Sequence, residues 1–348
     1  MASHGAPLFP IHLRASLHET IWGGQNLARY AGKRLPQNAT IGESWETEIQ
    51  NQAINPPYAG KHLGELVEAL GEALLGTQAI SIFGTRFPLL AKFIDAQDKL
   101  SVQVHPNDEY AHAREQGKLG KTEAWYILHA DPGAALIHGI ERTVTREEVQ
   151  QAIEHVTLES LVHYEPVQPG DVVFVPAGTV HAINAGIVLY ELQEYSDVTY
   201  RLYDYGRLTP QGKPRELHIE RGLDVMDYEP TPIHRVRPLV LPGARGAGDA
   251  VDQRRCLVAC RYFVLEELTF QQSTAATTST TSCQILSLLD GSCALQPPTG
   301  EALPLAKGDT VVLPAQLGAY TLVGSSRLVR SYVPTADDDL LRGFWSAQ

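Results

Sequence analysis

Twenty residues of this chain occur in two versions, and that repeat constrains the fold more than any other feature. VQPGDVVFVPAGTVHAINAG (167–186) aligns without a gap on LAKGDTVVLPAQLGAYTLVG (305–324). Gly170 and Asp171 match Gly308 and Asp309, Pro176 and Ala177 match Pro314 and Ala315, and Gly186 matches Gly324. The shared pattern is a Gly-Asp turn, an apolar strand, and a Pro-bounded turn into the next strand. Two copies of one barrel unit are expected. Around the first copy lie FPLLAKFIDA (87–96), LSVQVH (100–105), TEAWYILHA (122–130), AALIHG (134–139), DVVFVPAG (171–178) and IVLYELQEYS (187–196). Short apolar runs ended by Gly, Pro or Asp read as strands of a double-sheet, jelly-roll type barrel. Helices are expected over 61–76, with Leu63, Leu66, Val67, Leu70 and Leu74 on one stripe, and over TREEVQQAIEHV (145–156), where Thr145 and Glu148 have capping-box spacing. Weaker helical patterns cover 108–116 and PRELHIERGLDVM (214–226), which Pro214 would start. STAATTSTTSC (273–283) reads as an exposed loop.

The copies differ where chemistry is possible: His181 in the first corresponds to Ala319 in the second. This points to a site in the first barrel and none in the second. In SVQVHPND (101–108), Gln103 and His105 are two apart and share one strand face. Glu123 begins the next strand, and His181 follows the turn PAGTV. In a barrel these inward faces can converge, giving two imidazoles, a carboxylate and an amide oxygen. That set suits Zn²⁺, with Mn²⁺, Fe²⁺ and Co²⁺ as alternatives. The plain structural alternative is a set of hydrogen-bonded strand residues, the reading kept for His112, His129, His138, His155 and His163.

With 348 residues the chain suits one large or two ordinary domains. A formal net charge of −12 argues against nucleic-acid or anionic-membrane partners. It leaves room for a small phosphorylated substrate, which needs only a few local cations. No apolar run is long enough to span a membrane, and the N-terminal stretch lacks a charged start followed by an apolar core, so a cytoplasmic location is the expectation. Cys256, Cys260, Cys283 and Cys293 match no zinc spacing and are read as reduced thiols.

GDVVFVPAGTVHAIN resembles the second cupin motif, with Gly170, Pro176, Gly178, His181 and Asn184 in place. QVHP followed by GKTEAWYIL carries Gln103 where cupins commonly have histidine, and in this it resembles the type I mannose-6-phosphate isomerases in their shorter bacterial form. WGG (22–24), IGESWE (41–46), FPLLAKFIDAQDKLSVQVHPND (87–108) and RELHIERGLDV (215–225) are similar to that family as well. The likeness runs from about residue 17 to 228; beyond that it rests on chain length and the second barrel motif. It implies one zinc ion per chain on Gln103, His105, Glu123 and His181, and functional roles for Lys121 and Arg201. Some longer members carry a histidine just before the lysine, where this chain has Gly120, so no role of that histidine transfers. The helical lid of longer relatives should be reduced to the 61–76 and 145–163 segments. Thr47 ends GESWET where an apolar residue is expected.

The expected architecture is mainly β, two cupin-type jelly-roll barrels with a few accessory α-helices. Residues 1–230 would form a catalytic unit, and 231–348 a cupin-like barrel lacking the metal site. The resemblance implies interconversion of mannose 6-phosphate and fructose 6-phosphate through an enediol. That reaction needs a base, oxyanion stabilisation and a grip on phosphate. Zinc would act as a Lewis acid. Arg201 suits an enediolate or a phosphate, and Lys121 is an electrostatic partner or proton shuttle. Asp197 or Glu191 would be the base, or would orient the cations. Ser101, on the face of Gln103 and His105, and Lys92 are the candidate phosphate contacts. The alternatives are a metal cupin of other chemistry and a non-catalytic sugar-phosphate-binding module. A monomer or weak homodimer is expected.

Overall fold

The computed structural model of the chain describes residues 8–209, 211–232, 235–241 and 251–348; the first seven residues of the stretch inspected for a leader lie outside them. Its strands form three sheets, and the adjacent pairs are antiparallel. One has six strands in the order Ser16–Gly24, Ile41–Trp45, Leu89–Ala96, Ile187–Glu194, Glu123–Ala130 and Val172–Val175. A second has five: Tyr200–Tyr203, Val102–Val104, His181–Ile183, Ala135–Ile140 and Val162–Pro166. These two pack face to face through Ile94, Trp125, Ile127 and Leu189 on one side and Leu136 and Ile183 on the other. The third sheet has nine strands, and it takes in Ile11–Leu13 from the far end of the sequence, paired with Thr310–Leu313. Its long strands Gln284–Gln296 and Ala319–Tyr332 pair along most of their length, with a register shift between Leu288 and Asp290. The fold is mainly β, as expected, built as packed open sheets rather than as continuously hydrogen-bonded barrels.

The sequence repeat is a repeat of hydrogen bonds. In the first copy Gln168 N donates to Asp171 Oδ2 (2.9 Å), and in the second Ala306 N donates to Asp309 Oδ2 (2.8 Å). Gly170 N donates to Ile127 O and Ile127 N to Asp171 O, matched by Gly308 N to Leu288 O and Leu288 N to Asp309 O. The matched registers place Gln284 where the first copy has Glu123, and Thr277 where it has Gln103. The Gln284 amide is used internally: it accepts from Tyr320 Oη (2.8 Å) and donates to Thr277 O (3.1 Å).

The central strands of the six-stranded sheet are buried on both faces. Leu89–Ala96 and Ile187–Glu194 are buried at every position. Leu89, Ala91, Phe93, Tyr190 and Leu192 share a core with Leu257 and Leu265 of the nine-stranded sheet and with Phe263, which lies between two of its strands. The alternate residues, including Lys92, Ile94, Leu189 and Glu191, face the five-stranded sheet or the cavity beside it. Two-sided burial explains the near-continuous apolar runs in the sequence.

Three expectations need correction. The 61–76 helix is broken: Leu63–Leu70, Glu72–Leu75 and Thr77–Phe83 are separate helices, with Gly71 (φ 49°) between the first two in a conformation that favours glycine. The 214–226 helix begins only at Ile219–Val225, because the preceding stretch is tied down: His218 N donates to Arg201 O (2.8 Å) and Arg215 binds Asp204. The Thr/Ser-rich segment is half strand: Ser273–Thr277 pairs with Ala319–Tyr332, and Thr274 and Ser282 are buried. β-Branched threonine fits a pleated surface well. The helix Arg146–Glu154 keeps its capping box, with a short 3₁₀ turn at Leu158–Ser160, and Asp108–Arg114 forms where expected. All four cysteines are free and buried.

Candidate active site

Register aligns the site residues on the two facing sheets. In the five-stranded sheet Gln103 pairs with both Arg201 and His181, so these three side chains form one rung. In the six-stranded sheet Trp45, Lys92, Glu191 and Trp125 form another. Glu123, opposite Gln193 and Val175, opens its strand next to this rung, two residues after Lys121. The space between is a cavity of about 300 Å³.

At its inner end three buried groups converge: His105, Glu123 and His181 each offer a ligand atom, all within 4.8 Å of one another. Among the described residues this is the only such group of three or more His, Cys, Asp or Glu side chains. His105 Nδ1 lies 2.9 Å from Val198 O, and His181 Nδ1 lies 2.8 Å from Thr179 O. With Nδ1 donating to a carbonyl, each Nε2 is a bare acceptor aimed inward. Burial, reinforced by Lys121, keeps His105 well below its ordinary value; burial brings His181 down to about 3. Both rings are therefore neutral near pH 7. Their Nε2 atoms lie 3.6 and 3.3 Å from the Glu123 carboxylate, yet neither His105 Nε2 nor Glu123 Oε1 has a hydrogen-bond partner among the described residues. Three buried acceptors pointing at each other are costly without a cation. Burial pushes the Glu123 carboxyl up to about 7, although Lys121 Nζ at 2.8 Å opposes this. These residues fit a metal ion. Gln103 Nε2 stands 3.2 Å from His181 Nε2, and turning the amide over presents Oε1 at the same place.

The remaining expected residues separate into groups. Lys92 and Glu191 are a buried ion pair (3.1 Å), with Lys92 4.8 Å from the Trp45 ring centroid and Glu191 accepting from Trp125 Nε1 (2.9 Å). Burial alone would raise the Glu191 carboxyl, but Lys92 and Lys121 override it and hold it at about 2. Arg201 Nε donates to Ser101 Oγ (3.2 Å) and Nη1 to Glu216 O (2.9 Å), which leaves Nη2 without a partner among the described residues. Asp197 sits at the rim, exposed and paired with Lys118 (2.7 Å), away from the inner end. The sequence reading missed Glu43, Trp45, Trp125 and Arg215, all of which line the cavity. Glu43 and Trp45 alternate with buried Ser44, a period-two signal that was present. Arg215 had no periodic signal, since it arrives by a non-helical stretch, although it opens the family-like RELHIERGLDV (215–225).

The description "Phosphomannose isomerase type I, catalytic domain" fits residues 10–132, and "Mannose-6-phosphate isomerase, cupin domain" fits residues 254–333. Mannose-6-phosphate isomerase ManA of Bacillus subtilis is 37% identical over 330 residues, covering 93% of this chain and 99% of that protein. The mannose-6-phosphate isomerase of Streptococcus mutans is 42% identical over 221 residues, 62% of this chain and 67% of that one. The crystal structure of the Bacillus subtilis mannose 6-phosphate isomerase superposes with a TM-score of 0.80 at 33% identity, over 92% of this chain and 99% of that one. Matching full-length relatives in sequence and fold, the chain belongs to the type I phosphomannose isomerases, in their short bacterial form with the cupin fold.

Proposed function

We propose that this chain interconverts D-mannose 6-phosphate and D-fructose 6-phosphate by proton transfer between C1 and C2 through an enediol, with one zinc ion per chain. The observation that carries the reading is the rung Arg201–Gln103–His181 facing the rung Lys92–Glu191 across one cavity, with His105 and Glu123 behind it. Gln103, His105, Glu123 and His181 would hold the zinc, which supplies Lewis-acid polarisation of the substrate's C1 and C2 oxygens when bound. The donor set, with two neutral imidazoles and a carboxylate, is one zinc accepts readily.

Glu191 is the better candidate for the base. It lines the cavity and is held ionised, whereas Asp197 is at the rim with its own lysine. A carboxylate this acidic is a weak base, so enolisation depends on strong stabilisation of the developing oxyanion. Lys121 and Arg201 provide fixed positive charge on either side of Gln103 and Glu123 for that purpose. Lys92 keeps Glu191 charged and in place, and is less available for phosphate than its sequence context suggested. The phosphate end is assigned to Ser101, two residues before Gln103, together with Arg215 and the free Nη2 of Arg201.

Metal content by mass spectrometry on wild type and His181→Ala, with isomerisation assayed on the same samples, tests the reading. Wild type should carry about one zinc per chain and be active, and the variant should lose both. Zinc without isomerisation of mannose 6-phosphate would leave the metal centre and remove the substrate. The base assignment rests on Glu191→Gln losing kcat by about a hundredfold or more while Asp197→Asn stays within a few-fold of wild type.

A further inference from the structure

The arginine end of the cavity is organised by a carboxylate that does not line it. Asp204 follows directly on the strand Tyr200–Tyr203, which carries Arg201, and it is buried. Its Oδ2 accepts from Arg215 Nε (2.7 Å), and its Oδ1 accepts from Arg215 Nη2 and from Arg207 Nη2 (2.6 Å). One buried carboxylate therefore serves two guanidinium groups, although Arg207 Nη1 also lies 3.6 Å from Asp98, and Arg201 is a third cation close enough to feel Arg215. Burial alone would raise the Asp204 carboxyl, but hydrogen bonds from Arg215 and Arg207 hold it below its ordinary range. Arg207 is fixed further by the carbonyl of Lys99 and lies over the Tyr205 ring. Arg215 is different, because it lines the cavity and its Nη1 has no partner among the described residues.

A guanidinium held through Nε and Nη2 by a two-point carboxylate can rotate little. Its remaining donors are then fixed in direction. We propose that Asp204 is a positioning residue for substrate binding, orienting Arg215 so that its free edge and Arg201 Nη2 together meet the phosphate of a sugar phosphate. This rests on the phosphate end assigned above, and it adds the group that sets its geometry. The carboxylate costs the site attraction for a dianion, since it cancels one of three nearby positive charges. Its retention beside an anion site is explained by orientation and not by charge.

That opposition makes the test two-sided. Asp204→Asn keeps the shape and deletes the charge. If Asp204 acted by charge alone, the variant would bind phosphate more tightly. If it positions Arg215, the variant should bind more weakly. The measurement is competitive inhibition of mannose 6-phosphate isomerisation by inorganic phosphate, with KM and kcat determined on the same zinc-loaded full-length enzyme. The inhibition constant for phosphate and the KM should rise together by about tenfold or more, with kcat changing much less. An unchanged or tightened inhibition constant overturns the proposal. Arg215→Lys, which keeps the charge but loses the fork, should show the same split, and it decides the matter if Asp204→Asn does not fold. Unaltered KM and phosphate inhibition in Arg215→Lys also overturns the proposal. Wild-type enzyme indifferent to inorganic phosphate, with equal KM for mannose and mannose 6-phosphate, would instead remove the phosphate end itself.

Discussion

Single residues show where side-chain identity is forced. Gly120 stands just before Lys121, and a Cβ built there would lie 2.5 Å from Asn107 C and Asp108 N and 2.8 Å from Pro106 O. These are backbone atoms, held by Lys121 N donating to Pro106 O (3.0 Å) and Gly120 N to Asp108 Oδ1 (2.9 Å). A side chain at 120 must push the start of the Glu123 strand away from the helix before it, and Lys121 with it. Gly120→Ala should therefore lower stability by about 1–3 kcal/mol and reduce kcat, read by denaturant melts and steady-state kinetics. A fully active, equally stable variant would show that this backbone contact gives way easily. Thr47 teaches the reverse lesson. Where an apolar residue was expected, its Oγ1 donates to Leu89 O (3.0 Å) and accepts from Ala91 N (2.9 Å), so the side chain extends the ladder past the strand's end. Alternation put Gln103 and His105 on one face and the repeat singled out His181, whereas Glu123, at the start of its strand, had only the family likeness to mark it. Asp204 and Arg215 were not legible as a pair, because their meeting depends on how a non-helical stretch returns to a strand.

At the scale of elements, strands were easier to read than helices. Apolar runs bounded by Gly, Pro and Asp became strands because burial on both faces leaves little alternative. The 61–76 pattern had the right stripe and the wrong continuity, since a glycine at positive φ ends a helix that apolar periodicity alone would extend. The strand Ile187–Glu194 carries the opposite kind of tension at its end. Glu194 is buried, its Oε1 accepts from Thr122 N (2.8 Å), and its Oε2 has no hydrogen-bond partner among the described residues. Burial, with Asp108 nearby, raises its carboxyl to about 8, against the opposing pull of Arg261. The folded chain thus holds this proton more tightly than the unfolded chain does. Its stabilising contribution is full below the ordinary carboxylate value and is lost as pH rises toward and through about 8. Wild-type melting temperature should fall between about pH 5 and 8, and Glu194→Gln, which keeps an acceptor for Thr122 N, should flatten that fall. Parallel curves for the two proteins would assign the loss to another group.

For the whole molecule, the decisive arrangement is that the six-stranded sheet carries the cavity on one face and the nine-stranded sheet on the other. The repeat announced two related units. It did not announce that Ile11–Leu13 would close an edge of the nine-stranded sheet, because a three-residue strand has no pattern of its own and is fixed only by its partner. The contact between the sheets is mostly apolar, with polar junctions at Tyr190, whose hydroxyl lies 3.3 Å from Ser287 Oγ, and at Tyr126. Tyr126 pairs with Tyr190, next to the Glu191–Trp125 pair, but points to the opposite side from Trp125. Its hydroxyl donates to Glu267 Oε2 (2.5 Å) and accepts from Arg255 Nη2 (3.1 Å), while Arg255 also binds the Glu267 carboxylate. Removing the hydroxyl takes one donor from a buried carboxylate that keeps its arginine, so the loss is that of a charge-assisted hydrogen bond and not of an orphaned charge. Tyr126→Phe should lower unfolding free energy by about 1.5–3 kcal/mol while zinc content, KM and kcat stay near wild type. Denaturant melts and kinetics on one preparation decide it. If activity falls while stability holds, the two faces of the sheet are coupled at this rung, and the outer core helps to set the geometry of Glu191 and Trp125.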